Sequence, residues 1–583
     1  MRSGCYGSGV RPNWPLVLLI LLAPFVVAWP LPAVFTSQWL TTPFGEAAIH
    51  VWGLWTTAAG GNLFQIDTAA IAWPDGAQAV LADPINLPWF LLGWPLGPEA
   101  AYNAVVYGNL IIMGLAGLCL ARQVGGLAWL GALAAMLNPS VLGAITGGMT
   151  EHLSLGWLGL FVAALLAALQ KSCNKRALLA GLLLAVTVAS GPYNGVWATG
   201  IATAIGVAHL VRKDRTRHFA RLAITAGTAG VLAAPLITSV LTQRLPGQPG
   251  TAELSRSLFA LPAANTSLFR GGLRFGADLS DPWLPIFLTG GTATPTYTAY
   301  VGLAALILAA VVVARNRIHW GWLIGALVFS LLSLGPWMVW EGRPLVANGN
   351  AFMAPAGMLA DTFPVLTRIS HWHRAGGVAA LLLVPLVALA PSVIKHRVSV
   401  PIIALLLCAD RLVGSPVPWP LPTMSGPDTQ AYAALSGTPG AVLVQPARFL
   451  DLPPPRARFR DPALLAQLYH QHPVSESGAM GHGLSASGQH ANDLLHRLGE
   501  TGYADAGHKG AFEGPGFLWL AVYPRQMLKN PKRDQNWARC LGRPLINTAD
   551  VQLYDLKPGI NPRCLRGGGP TGGPPAPEGP DTF

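Results

Sequence analysis

The sequence predicts an α-helical polytopic membrane protein of about eleven transmembrane helices, followed by a C-terminal extracytoplasmic α/β domain. Three observations carry this expectation. Only 11% of the residues are charged while 52% are hydrophobic, whereas soluble globular proteins carry about 25% charged residues. Apolar runs of roughly 20 residues recur up to position 413, each long enough to cross a hydrocarbon core about 30 Å thick. The loops between those runs alternate between basic and acidic or neutral, the pattern that orients a membrane protein.

In chain order the expected spans are 15–35, 100–121, 127–146, 153–170, 177–191, 195–211, 221–242, 298–314, 318–340, 376–393 and 398–413. The first follows Arg2 and Arg11 and ends in Trp29, Pro30 and Pro32. It is longer than the apolar region of a cleavable signal peptide, so it reads as an uncleaved signal anchor. Counting from a cytoplasmic amino terminus, each inner loop is short and basic: Arg122; Lys171, Lys175 and Arg176; Arg212, Lys213, Arg215 and Arg217; Arg315 and Arg317; Lys395 and Arg397. The net charge of +12 is thereby explained by topology, and a nucleic-acid partner is not expected.

The outer loops differ. The long ones are 36–99, 243–297 and 341–375; the short ones are Thr146 to His152 and Ser190 to Gly195. Loop 36–99 holds Glu46, Asp67, Asp75, Asp83 and Glu99, and no Lys or Arg occurs between Arg11 and Arg122. Residues 1–413 thus form a transmembrane domain.

An odd number of spans places residues 414–565 outside as a small periplasmic α/β domain, entered through SPVPWPLP at Ser415 to Pro422. Within it AVLVQP (Ala441 to Pro446), GFLWLAVYP (Gly516 to Pro524) and ADVQLYDL (Ala549 to Leu556) read as strands. Two stretches read as helices, Asp461 to Gln471 and Arg525 to Leu541, the second interrupted or kinked by Pro531. Residues 566–583, rich in Gly and Pro, read as a disordered tail. Of six cysteines only Cys540 and Cys564 share a hydrophilic region, where an oxidising compartment would let them pair.

Three stretches could carry chemistry. In GEAAIHVWGLW (Gly45 to Trp55), Glu46 and His50 lie four apart and share one face of a helix. Desolvation at the membrane surface would raise the Glu46 pKa and suit it to abstract a proton from a hydroxyl; the plainer reading is a solvated surface pair. In GGMTEHLSLGW (Gly147 to Trp157), Glu151 and His152 sit in a loop too short to leave the membrane face. The plainer reading there is a cap on the next helix. Carboxylates from the two loops could share a divalent cation with His50 or His152, which makes Glu46, Glu151 and His152 candidate metal ligands.

The third stretch, FPVLTRISHWHRAGG (Phe363 to Gly377), gathers Arg368, His371, His373 and Arg374 at an outer span end. Guanidinium forks bind phosphate oxygens. Positive charge on this side runs against the topology rule, and an anionic partner would explain it; an interfacial belt around Trp372 with snorkelling cations is the alternative. Arg270 and Arg274 are weaker candidates of the same kind. Asp75, in AWPDGAQ, reads as a turn former, and His470 and His472, in YHQHPVSESG, read as surface packing ahead of metal binding. The Walker, GxSxG and HExxH motifs are absent.

Together, GEAAIHVWGLW, WPDG, GGMTEHLSLGWL and FPVLTRISHWHR make the chain resemble the GT-C superfamily of polytopic membrane glycosyltransferases, and uncharacterised bacterial GT-C-like proteins of the YfhO type. The resemblance covers about 1–413. It implies inverting transfer of a sugar from a polyprenyl-phosphate-linked donor to an acceptor, on the outer face of a bacterial inner (plasma) membrane, with the lipid bilayer as surroundings. The first-loop carboxylate, here Glu46, would act as general base, with Glu151 as the second-loop acid. His50, His152, Arg368, His371, His373 and Arg374 would then bind substrate or phosphate, and a divalent metal ion is the only cofactor suggested. The family usually carries Asp at the first position; Glu reaches one methylene further. The rival reading is a non-enzymatic polytopic membrane protein, a transporter or an assembly factor for surface polysaccharide. Ionisable residues in mid-span would favour transport, but these candidates lie at outer span ends.

Overall fold

A computed structural model describes residues 14–566, apart from 44, 60–65, 69, 75, 80–82, 171–173, 212–214, 243–276, 289–294, 341–342, 348–349, 364–365, 367–368, 370, 396–398, 428, 436–437, 446–461, 476–485, 506–511, 525–526 and 528–529. Asp75, Arg270, Arg274, Arg368 and all of the expected tail but Arg566 therefore lie outside the described residues. The chain packs as two units, one comprising Met1–Ile66 with Val80–Gly426, the other Asp67–Ala79 with Pro427–Phe583. The sequence had assigned loop 36–99 wholly to the membrane unit; by packing, thirteen residues of it group with the C-terminal unit.

The first unit is a helical membrane protein. Each of the expected apolar segments is helical over most of its length. Among the described residues five helices are long and apolar enough to cross a membrane: Pro98–Gln123, Ala128–Gly147, Thr150–Gln170, Arg215–Ser239 and Trp372–Ile394. Burial ranks them. The apolar windows of Pro98–Gln123 and Trp372–Ile394 are 83% buried, so these are central helices, whereas Arg215–Ser239, at 22%, lies at the rim.

Local chemistry sets the ends of these helices. Pro98–Gln123 opens after Gly97 with Pro at its first position and Glu99 in its first turn, and closes on Arg122, the arrangement favoured by the missing Pro N–H and the helix dipole. The expected span 127–146 is broken near its middle. Pro139 has no N–H to continue the ladder, so Asn138 steps out of the helix and accepts from the Ser140 and Val141 amides, starting a new helix Pro139–Gly147. Span 15–35 is likewise split at Pro30, between helices Trp14–Val27 and Leu31–Val34.

The second unit is built on a four-stranded mixed sheet. Strand Ala441–Gln445 runs parallel to Phe517–Val522, which pairs antiparallel with Gln552–Asp555, and that in turn with Ile546–Asn547. Leu443, Leu520 and Val522 from the sheet meet Leu494, Leu495, Leu498 and Trp537 from helices Ala486–Thr501 and Pro531–Leu541 in one core. The first-loop segment joins this core through Trp73, whose indole N–H donates to the Pro515 carbonyl at 2.6 Å, while Ala70 and Trp73 exchange backbone hydrogen bonds with Val474. Cys540 and Cys564 form a disulfide here.

Pro531 neither kinks nor interrupts a helix. It opens one, behind an Asn530 side chain that accepts from the Arg533 amide, because the first helical position needs no N–H. His472 places both ring nitrogens within 2.9 Å of the Gly440 and Leu435 carbonyls, and His470 Nδ1 accepts the His472 amide. The pair ties backbone segments together.

Candidate functional site

The site forms where the first long loop is stitched to the turn between Pro139–Gly147 and Thr150–Gln170. The Thr42 and Glu46 amides donate to the Thr146 and Gly147 carbonyls at 3.0 and 2.6 Å, and the Thr41 hydroxyl donates to Thr146. This close approach requires glycine. Gly148 has φ +69°, and a Cβ on it would lie 2.3 Å from the Ala47 nitrogen.

Glu46 occupies the position before the helix Ala47–Ala58, so it shares a face with His50 as the four-residue spacing predicts. Glu46 Oε2 lies 3.7 Å from His50 Nε2. Glu151 then arrives from the second loop, with Oε2 at 2.9 Å from the same nitrogen. Its other oxygen, Oε1, lies 2.5 Å from Arg374 Nη2. Four residues expected at three separate places in the sequence, buried His50, Glu151 and Arg374 and half-buried Glu46, thus form one charge cluster. Burial works against a charged His50, yet the Glu151, Asp83 and Glu46 carboxyl groups outweigh it and hold its pKa well above the ordinary value.

The Arg374 guanidinium lies over the Tyr193 ring, 4.6 Å from its centroid. Its Nε and Nη1, buried, have no hydrogen-bond partner among the described residues, and the same holds for both ring nitrogens of His373. His371 Nδ1 is 3.2 Å from the Tyr193 hydroxyl, and the Tyr297 ring stands edge-on to His373. The two Arg374 N–H groups are donors suited to the oxygens of an anion.

The expected residues do not all converge. His152 turns away, its Nε2 2.9 Å from the Ser140 hydroxyl, and its expected place among metal ligands is taken by His50. One ligand atom each from Glu46, His50 and Glu151 lies within 4.8 Å of the other two. Arg368 lies outside the described residues.

Sequence reasoning missed Asp83. It is fully buried beside the cluster, with Oδ1 3.9 Å from His50 Nδ1. No spacing rule ties residue 83 to residue 50. A usable signal was Asn109, a polar residue in mid-span, which donates to Asn86, the partner of Asp83.

No family model matches the sequence, and no curated protein does. Among solved structures, the mycobacterial arabinofuranosyltransferase AftD, as the R1389S mutant in its class 2 form, aligns with TM-score 0.50 and 14% identity over 94% of this chain and 42% of that one. The fold is similar to that of AftD. AftD without the mutation aligns with the same score and identity over 94% of this chain and 40% of its own. An Archaeoglobus fulgidus oligosaccharyltransferase tethered to an acceptor peptide aligns with TM-score 0.44 and 12% identity, over 87% and 69%. The chain spans about two fifths of the length of the AftD chains it matches. At 14% identity the likeness to AftD is one of fold.

Proposed function

We propose that this chain is an inverting membrane glycosyltransferase that moves a sugar from a polyprenyl-phosphate donor to an acceptor hydroxyl at the outer face of a bacterial plasma membrane. One observation carries the proposal: a carboxylate from each of two loops reaches the His50 imidazole, and one of them, Glu151, pairs with a buried guanidinium that has two nitrogens without a hydrogen-bond partner among the described residues.

The chemistry divides among these residues. The acceptor oxygen attacks the anomeric carbon, the bond from that carbon to the phosphate oxygen breaks, and the hydroxyl proton passes to a carboxylate. Glu46 is the better base, since its side chain is 18% exposed against 9% for Glu151 and Glu151 is held at both oxygens by His50 and Arg374. The departing phosphate is a weak base, so it needs charge neutralisation more than a proton. Arg374 Nε and Nη1, without hydrogen-bond partners among the described residues, would supply it.

The residues also fit a divalent metal ion. Two carboxylates and an imidazole converge, and the buried Glu151 Oε2 makes no aligned hydrogen bond among the described residues. When bound between Glu46, His50 and Glu151, such an ion would add Lewis-acid charge for the leaving phosphate.

Two observations support an outer location for the second unit. Its disulfide suits an oxidising compartment. Trp73, from the first loop, packs against its core, and that loop carries no Lys or Arg, the composition of outer loops. The test is transfer from radiolabelled polyprenyl-phosphate sugars by purified protein. Glu46→Gln should lower turnover by about 10² to 10⁴ with expression unchanged; undiminished turnover excludes Glu46 as the base.

A further inference from the structure

Asp83 is a buried carboxyl group that the scaffold alone does not account for. It has no exposed surface. Its Oδ2 accepts from the Asn86 side chain at 2.8 Å and from the Thr150 hydroxyl. Asn86 continues the network, donating to the Thr150 carbonyl and the Ser154 hydroxyl and accepting from Asn109 at 2.7 Å. These bonds clamp the end of the first outer loop to helix Pro98–Gln123 and to the Glu151 turn. An asparagine at 83 could make them too, with its one carbonyl oxygen. The second oxygen, Oδ1, has no hydrogen-bond partner among the described residues, although burying such an atom is costly. It faces His50 Nδ1, 3.9 Å away, beyond hydrogen-bond length but within reach of charge.

We propose that Asp83 is a positioning residue of the transfer site: its free oxygen fixes the face of the His50 ring, so that Nε2 is presented to Glu151 and Glu46. The three carboxyl groups surround one imidazole, with Asp83 on the Nδ1 side and the other two on the Nε2 side. A carboxylate charge 3.9 Å from the far nitrogen favours the ring face that turns an N–H towards it, the charge counterpart of the hydrogen bond by which outer carboxylates align imidazoles. Without it the ring could turn about its own axis and lose the 2.9 Å contact with Glu151. The Asn86 side chain and the Thr150 hydroxyl hold Asp83 in place directly.

This inference rests on the sugar-transfer reading for its kinetic arm only. Full-length protein is prepared as wild type, Asp83→Asn, Asn109→Ala, His50→Gln and the Asp83→Asn/His50→Gln double variant. In protein labelled with ¹⁵N-histidine, the His50 signals are identified by their loss in His50→Gln. Asp83→Asn should move those signals and leave the melting temperature near that of wild type, whereas Asn109→Ala should lower the melting temperature and leave the His50 signals in place. In the transfer assay Asp83→Asn should lower kcat about 10- to 100-fold with KM unchanged, and should add nothing to His50→Gln. Unmoved His50 signals in Asp83→Asn, or a kcat loss that multiplies with that of His50→Gln, overturns the proposal. If wild type transfers no sugar, the enzyme reading fails and the histidine spectra alone decide the role of Asp83.

Discussion

The contact that most needs a partner is the pair Glu151 and Arg374. Their side chains are 9% and 3% exposed and their charged atoms lie 2.5 Å apart. Removing one member of a buried pair costs about 3 to 5 kcal/mol, because the other is left charged in a poor solvent. The losses should be unequal. Glu151→Gln strips Arg374 of its carboxylate partner and should cost the full amount, whereas Arg374→Met leaves Glu151 with His50 at 2.9 Å and should cost less. The double variant, Glu151→Gln with Arg374→Met, leaves no charge of the pair buried, so it should be less destabilised than the sum of the two by about 3 kcal/mol. Unfolding in mixed micelles with rising SDS fraction, followed by tryptophan fluorescence, measures all four corners of the cycle. Losses that add to within about 0.5 kcal/mol would mean that the side chains do not interact, and the charge cluster as described would be wrong.

Three further outcomes are expected. Gly148→Ala should be destabilising and nearly inactive in transfer, since it forces a strained φ and drives Cβ against Ala47; wild-type turnover would show that the two loops need not touch. Cys540→Ser with Cys564→Ser opens a link across 24 residues, a loss of about 3.5 kcal/mol by loop entropy, visible as a lower melting temperature of the second unit and as a changed alkylation pattern. Burial pushes His470 down to about 3, so its unfolded form, near 6.5, binds a proton that the folded form refuses. Stability of the second unit should therefore be level above about pH 6.5 and fall as pH drops towards 3, and His470→Gln should flatten that slope in melting curves taken across this window.

Much of the fold was legible because membranes impose a simple code. Long apolar runs located the helices, and short runs rich in apolar residues located the strands Ala441–Gln445, Phe517–Val522 and Gln552–Asp555. Helix Ala486–Thr501 was overlooked although Ala491, Leu494, Leu495 and Leu498 follow helical spacing and enter the core; its polar composition and glycine-rich approach hid it. Pro531 misled because a proline that breaks a helix interior is also the residue best suited to begin one.

By itself the sequence determined what depends on neighbours along the chain: which segments suit lipid, which loops lack positive charge, and that Glu46 and His50 share a helical face. Only the tertiary structure decided that Glu151 and Arg374 complete that face, that Asp83 backs it while His152 bonds to Ser140, and that Trp73 of the first loop packs against the core of the second unit. The reason is physical. Helical period fixes contacts over a few residues, but contacts between residues 50 and 151 or 151 and 374 depend on how packed helices present their ends, and no local pattern encodes that.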